Sequence, residues 1–298
     1  MIAVSRRLAI VALVTALFLA GARPAVSVRA AAVQTRPSRI VSLIPAVTEM
    51  LFAIGAGPQV IAVSSFDLYP PQVKMLPRVG ALLDPDLERI LSLRPDLVVV
   101  YHSQADLRRQ LERAGVPMYI YKHAGLPDVL ETMQAVGARI GRAPETAAAV
   151  KKIQDHLARI RARVQSLGRP RTLLVFSRDA LALRGIYASG GIGFLDDMLE
   201  VAGGENVFDD LRRQAVQATT ELILARRPDV IVEFRSGELS DGLRSKEIAA
   251  WNALAAVPAV KNRRIAILTD QRTVVPGPRV AEGTELIARI VHPEAFAK

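Results

Sequence analysis

Cysteine is absent from all 298 residues. No disulfide can form, so an oxidising compartment would be neither used nor harmful. No cysteine is available to carry the lipid of a bacterial lipoprotein, which excludes that anchor. Tryptophan occurs once, at Trp251, and histidine four times, at His102, His123, His156 and His292. The histidines are too scattered for a three-ligand metal site of the zinc type. Basic residues are spread along the chain without an aromatic–basic cluster, which argues against nucleic acid as a partner. No Gly-x-Ser-x-Gly elbow, Walker loop or Ser-His-Asp set is evident. Gly190-Gly-Ile-Gly193 lacks the third glycine of a dinucleotide loop, since Asp196 stands there. The adjacent Asp196 and Asp197 open a helix, whose positive dipole end accounts for them. No catalytic residue is assigned. A secreted α/β enzyme with two carboxylates across a cleft stays open as an alternative, as does a periplasmic sensor.

Acidic residues are also missing from the first 48 positions. Arg6-Arg7 is followed by an apolar run over residues 8–20 and then by small residues up to Ala32. Basic, apolar, then small is the order of a secretory signal peptide, here residues 1–30. A run of thirteen residues is too short to span a bilayer comfortably as a helix. The formal charge is +10; subtracting Arg6, Arg7, Arg23 and Arg29 leaves +6. The expectation is a soluble, exported protein of a bacterial periplasm.

What the chain does have is an internal echo. Leu87-Glu-Arg-Ile-Leu-Ser-Leu-Arg-Pro-Asp-Leu-Val-Val-Val100 returns as Thr220-Glu-Leu-Ile-Leu-Ala-Arg-Arg-Pro-Asp-Val-Ile-Val-Glu233. Each copy reads as a short helix, a Pro-Asp stop and a β-branched strand. Proline ends the helix because it lacks an N–H and disfavours helix in the residue before it. The apolar run is a buried strand of the parallel kind. A unit used twice implies two lobes of similar topology, and two such lobes bury a ligand between them. Between the copies, Val150, Ile153, Leu157, Ile160, Val164 and Leu167 recur at helical spacing after Pro144. This stripe predicts one long helix over residues 144–168, short for a coiled-coil dimer and long enough to cross two lobes. It separates an N-terminal lobe, residues 39–143, from a C-terminal lobe, residues 170–298. Ser42 or Thr48 is expected to cap the first helix.

Seven segments then fall in a fixed order between residues 39 and 294: Arg39-Ile-Val-Ser-Leu-Ile-Pro-Ala-Val-Thr-Glu49, Ser64-Ser-Phe-Asp-Leu-Tyr-Pro-Pro71, Leu87-Glu-Arg-Ile90, Arg94-Pro-Asp-Leu97, Gly203-Gly-Glu-Asn206, Pro276-Gly-Pro-Arg279 and His292-Pro-Glu294. On these segments the chain resembles the periplasmic substrate-binding proteins of ABC importers for cobalamin, haem and ferric siderophores, the cobalamin binders above all. The resemblance implies a class III periplasmic binding protein: an α/β fold of two Rossmann-like lobes with parallel central sheets, joined by a single long rigid helix as backbone. It implies a monomer that delivers cargo to a permease dimer with its ATPase, with no resident cofactor. Glu88 and Glu205 match the glutamates that pair with permease arginines. The cleft, lined by loops at strand C-terminal ends, takes in Pro45, Phe66, Leu82, Tyr101, His102, Phe176, Tyr187, Ala215 and Arg272. Leu82 and Ala215 stand where the cobalamin binders have tryptophan, so Phe66, Tyr101, Phe176 and Tyr187 are left to wall a large conjugated ring. The favoured cargo is a corrinoid, with haem or a ferric siderophore as the alternative; Tyr101 or His102 would then ligate haem iron. Arg78, Arg178, Arg184, Arg235 and Arg272 are candidates to meet an anionic cargo.

Overall fold

The computed structural model describes residues 36–122 and 125–297; the expected signal peptide and His123 lie outside the described residues. Four strands, β1 (Ile40–Ser42), β2 (Val60–Val63), β3 (Leu97–Tyr101) and β4 (Met118–Tyr121), form one sheet in the order β2-β1-β3-β4. Every pairing is parallel. Leu97 to Val100 of β3 are all buried, as expected of a strand covered on both faces.

A second sheet is built on β5 (Arg171–Ser177), β9 (Val230–Phe234) and β10 (Ile265–Leu268), again parallel, in the order β10-β9-β5. Beyond β5 it continues through β6 (Tyr187–Ser189) and β8 (Ala215–Gln217), both joined antiparallel, while β7 (Glu205–Asn206) pairs with the start of β5. The parallel core has the expected character. The antiparallel extension has no apolar run to announce it: β6 and β8 are three residues each.

The two echoed segments adopt one design. Asp86 and Thr219 cap their helices through the backbone N–H groups of Arg89 and Leu222. Ile90 and Ile223 are fully buried. Arg94 and Arg227 both turn through positive φ, 47° and 50°, just before the proline. Each aspartate then holds the start of the neighbouring strand. Asp96 accepts the N–H of Ser38 at 2.8 Å and of Arg39 at 2.9 Å; Asp229 accepts that of Arg171 at 3.1 Å. Arg39 and Arg171 in turn donate to the last carbonyls of the preceding helix, at Leu93 and Arg226. The repeat is thus a clamp that fixes β1 in one lobe and β5 in the other.

The long helix spans Ala143–Val164, with Pro144 in its first turn. Its 22 residues reach about 33 Å. Val150, Ile153, Leu157, Ile160 and Val164 are buried; Leu167 lies past the helix end and is half-buried. The stripe enters one apolar cluster that includes Met50 and Val99 on one side and Leu174, Val232 and Ile287 on the other. A core shared along a helix resists large swings of one lobe against the other. Among the described residues no helix is long and apolar enough to cross a membrane.

Candidate ligand cleft and lobe junction

The C-terminal ends of the first sheet gather several expected site residues. Pro45 begins the helix Pro45–Ala53 directly after β1. That helix has no side-chain cap: its N-cap is Ile44, and Thr48 instead donates its hydroxyl to Ser42 Oγ at 2.8 Å, so the expected capping by Ser42 or Thr48 is corrected. After β2 the chain enters the loop 64–71, where Phe66 is 69% exposed. Asp67, buried beneath it, accepts from the backbone N–H and hydroxyl of Ser64. Burial pushes the Asp67 carboxyl up, and the Ser64 bonds pull it back. Arg78 donates to the carbonyls of Ser64 and Asp67 at 2.7 and 2.8 Å, which fixes the loop. Gln104 accepts from the Tyr101 N–H and donates to the Leu82 carbonyl, tying those two positions together. Tyr101 and His102 have ring centroids 4.7 Å apart, and Tyr101 lies 5.7 Å from Tyr121. His102 is exposed.

In the second sheet Phe176 and Tyr187 are partly exposed, with ring centroids 6.5 Å apart. Ala215 pairs with Ser189 across β6 and β8 and is exposed. Phe176, Ser189, Gly193, Gln214 and Val274 line a cavity of about 230 Å³. The glycine turn 190–193 closes it. A Cβ on Gly190 would meet the Arg213 carbonyl at 2.2 Å and one on Gly191 the Asp209 carbonyl at 2.0 Å, so only glycine lets the chain pass. This explains the run that imitated a dinucleotide loop.

The arginines expected to meet an anion are engaged elsewhere. Arg178 has a fully buried side chain that pairs with Glu233 at 2.9 Å and Glu247 at 2.8 Å. Arg235 bonds the same two glutamates at 3.3 and 3.2 Å, and the Trp251 indole N–H donates to Glu233. Two cations and two anions close on each other. Arg272 is held by Asp270 at 2.5 Å and Glu282 at 3.4 Å. Bonding to Asp270 drives the guanidinium further toward its charged form and holds Asp270 below the usual carboxylate range. Arg184 is exposed, 3.7 Å from Asp179.

Three contacts that no sequence pattern paired join the lobes. Glu49, buried on the first helix, accepts two bonds from Arg279, one from Nε at 2.8 Å. Burial pushes the Glu49 carboxyl up, and the Arg279 bonds and charge draw it down. The Arg279 guanidinium lies 3.9 Å from the centroid of the Tyr69 ring. On the other flank Asp197 accepts the Leu126 N–H at 2.6 Å, so this carboxylate does more than face its own helix dipole. The first junction borders a cavity of about 380 Å³ between Tyr69, Lys152, His156 and Glu282, which contains none of the expected ligand residues. Among the described residues no group of three His, Cys, Asp or Glu side chains is placed to hold a metal ion.

Glu88 is exposed in the first turn of the helix Leu87–Ser92, with no ion pair among the described residues. Glu205, on β7, is half-exposed and pairs with Arg171 at 2.8 Å.

With this geometry in place, a family model described as periplasmic binding protein matches residues 40–272. The chain belongs to that family. It is 29% identical over 269 residues to the uncharacterized ABC transporter substrate-binding lipoprotein YvrC of Bacillus subtilis, covering 89% of this chain and 83% of the relative. It is 29% identical over 225 residues to the vitamin B12-binding protein of Yersinia pestis, covering 74% and 77%. Among solved structures, the periplasmic heme-binding protein RhuT of Roseiflexus superposes with a TM-score of 0.72 at 26% identity, covering 87% of this chain and 99% of that one.

Proposed function

We propose that this periplasmic binding protein is the cargo-binding component of an ABC importer, capturing a corrinoid between its lobes and delivering it to an inner-membrane permease with its ATPase. The observation that carries the reading is the exposure of aromatic side chains at the strand ends of both lobes: Phe66 on one, Phe176 and Tyr187 on the other. Exposed large apolar side chains gathered around a cleft mark a binding surface, and flat rings suit a flat conjugated cargo. They substitute for the tryptophans missing at Leu82 and Ala215. The relatives named for vitamin B12 and for ABC transport support the same class. Pro45 and the Tyr101–His102 pair complete the lining, and Arg272 serves as a rim residue whose charge is already met by Asp270. Glu88 and Glu205 dock the permease, the first free and the second shared with Arg171. Residues 1–30 direct export and are removed, leaving a periplasmic monomer.

A second reading has its own observation. His102 is exposed, with Tyr101 beside it at a strand end, and either side chain suits an iron axial position. On that reading the cargo is haem. The test is the visible spectrum of purified protein after separate incubation with cyanocobalamin, haemin and a ferric hydroxamate, followed by desalting. A retained corrinoid band is expected. A retained Soret band with corrinoid washed away would replace the first reading by the second.

A further inference from the structure

Three sequence segments that the cargo reading leaves without a task meet at one point. Thr48-Glu49 supplies the buried carboxylate, Tyr69-Pro-Pro71 the ring, and Pro276-Gly-Pro-Arg279 the guanidinium that touches both. Glu49 and Tyr69 belong to the N-terminal lobe, and Arg279 precedes the closing helix Val280–Val291 of the other. Arg279 and Glu49 are both largely buried, so their pair is screened little by salt, while the Tyr69 ring caps the guanidinium from the half-exposed side.

Tyr69 is also the far end of the loop that carries Phe66. At the near end, Asp67, Ser64 and Arg78 tie that loop to its own lobe. At the far end the Arg279 face meets the Tyr69 ring from the opposite lobe. Phe66 sits between Ser64 and Asp67, whose carbonyls Arg78 holds within the N-terminal lobe, and the Arg279 contact adds a tie from the other lobe two residues further along.

We propose that Arg279 is a positioning residue that ties the cleft loop 64–71 to the opposite lobe, with Glu49 as its anchor and the Tyr69 ring as its platform. Its planar fork is what permits both contacts at once: two in-plane bonds to Glu49 leave the π face free for Tyr69.

The absence of cysteine makes a direct test clean, since two introduced cysteines are the only thiols. Spin labels at Gln110→Cys and Lys246→Cys sit on exposed helix positions, one in each lobe. Pulsed dipolar spectroscopy on the ligand-free protein reads the interlobe distance. The parent is expected to give one narrow peak. Glu49→Leu with Arg279→Met, which removes both charges together, is expected to give a broad distribution. Tyr69→Leu, at a half-exposed position that leaves the core untouched, is expected to broaden it as well. Tyr69→Phe keeps the ring and is expected to restore the narrow peak. The parent distribution persisting in Tyr69→Leu, or Tyr69→Phe broadening as much as Tyr69→Leu, would overturn the proposal.

A binding arm rests on the proposed cargo; the distance arm does not. With cyanocobalamin as probe, Tyr69→Leu is expected to raise the dissociation constant about three- to fivefold, the scale of one partly exposed cation–π contact, while Tyr69→Phe leaves it unchanged. Failure of the parent to bind cyanocobalamin would count against the cargo reading alone, because the distances still decide the tie.

Discussion

The two copies of the helix–strand unit share Glu, Ile, Leu and Arg-Pro-Asp at matching positions and part in character at the end of the strand. Where β3 ends in Val100 and Tyr101 and is followed by His102, β9 ends in Glu233 and Phe234 and is followed by Arg235. Val100 is buried among aliphatic neighbours such as Val41 and Ile90. Glu233 is equally buried, but it meets Arg178, Arg235 and the Trp251 indole. The same backbone therefore accepts an apolar or an ionic end. The clamp at the start of the neighbouring strand is what the repeat demands, and the strand end is where each lobe is adapted.

Removing Glu233 should produce the largest effect in this comparison. Glu233→Leu leaves the buried Arg178 and its neighbour Arg235 to share Glu247 alone, an uncompensated charge in the interior, so about 3–5 kcal/mol of stability is expected to be lost. Val100→Ala at the equivalent position is expected to cost about 2 kcal/mol through lost burial alone. Urea denaturation of both variants measures the contrast. Equal losses would mean that the network is packing in another guise. The clamp gives the next effect. Asp96→Asn loses charged acceptance of two N–H groups and the Ser38 hydroxyl, and about 1–2 kcal/mol is expected. Asp229→Asn, with one bond from the Arg171 N–H, should cost about half that. Burial tends to raise the Asp96 carboxyl, but its bonds outweigh burial and hold it below the usual carboxylate range. Its stabilisation is thus complete above the unfolded carboxylate range and lost as pH falls through the lower folded value. Stability measured from neutral to acid pH should fall less steeply in Asp96→Asn than in the parent.

Much of this was legible from spacing. The echo, the long apolar stripe and the Pro-Asp stops respond to local rules of backbone and periodicity, and the fold follows from them. The loops after β1, β2 and β3 can be read as neighbours because a parallel sheet leaves its strand ends on one edge. Pairing was less legible. Nothing in Arg178-Asp-Ala tells that this arginine turns inward to Glu233 and Glu247, since a charge is read as exposed unless its partner is known. Glu49 and Arg279 are 230 positions apart, and no local pattern links them. The short strands β6 and β8 carry one or two buried residues each, too few to form an alternation.

The cleft walls offer a third contrast, smaller and confined to binding. Phe66→Ala should weaken cyanocobalamin binding about tenfold, the scale of one aromatic contact, with stability unchanged because the ring is exposed. Phe176→Ala should weaken binding to a similar extent, but with a measurable loss of stability, since its ring is more buried and packs near Tyr187. Isothermal titration and urea melts on the same samples separate the two. Unchanged affinity in both variants would remove the aromatic walls from the site.

The carboxylates proposed to dock the permease come last, and there the repeat supplies its own control. By the echo, the partner of Glu88 is Glu221, which is exposed in the first turn of its helix. By the family resemblance, the partner is Glu205. Glu88→Lys should change stability by no more than about 0.5 kcal/mol, being an exposed charge without an ion pair. Glu205→Lys should cost up to about 1 kcal/mol, because it turns the Arg171 pair into a repulsion. Neither change should alter ligand affinity. In vesicles carrying the permease and ATPase, Glu88→Lys with Glu205→Lys is expected to abolish stimulation of ATP hydrolysis, because two fixed carboxylates set the docking register together. Glu221→Lys is expected to leave stimulation intact. If Glu221→Lys abolished stimulation and Glu205→Lys did not, the docking face would follow the internal repeat, and Glu205 would be reduced to a structural partner of Arg171.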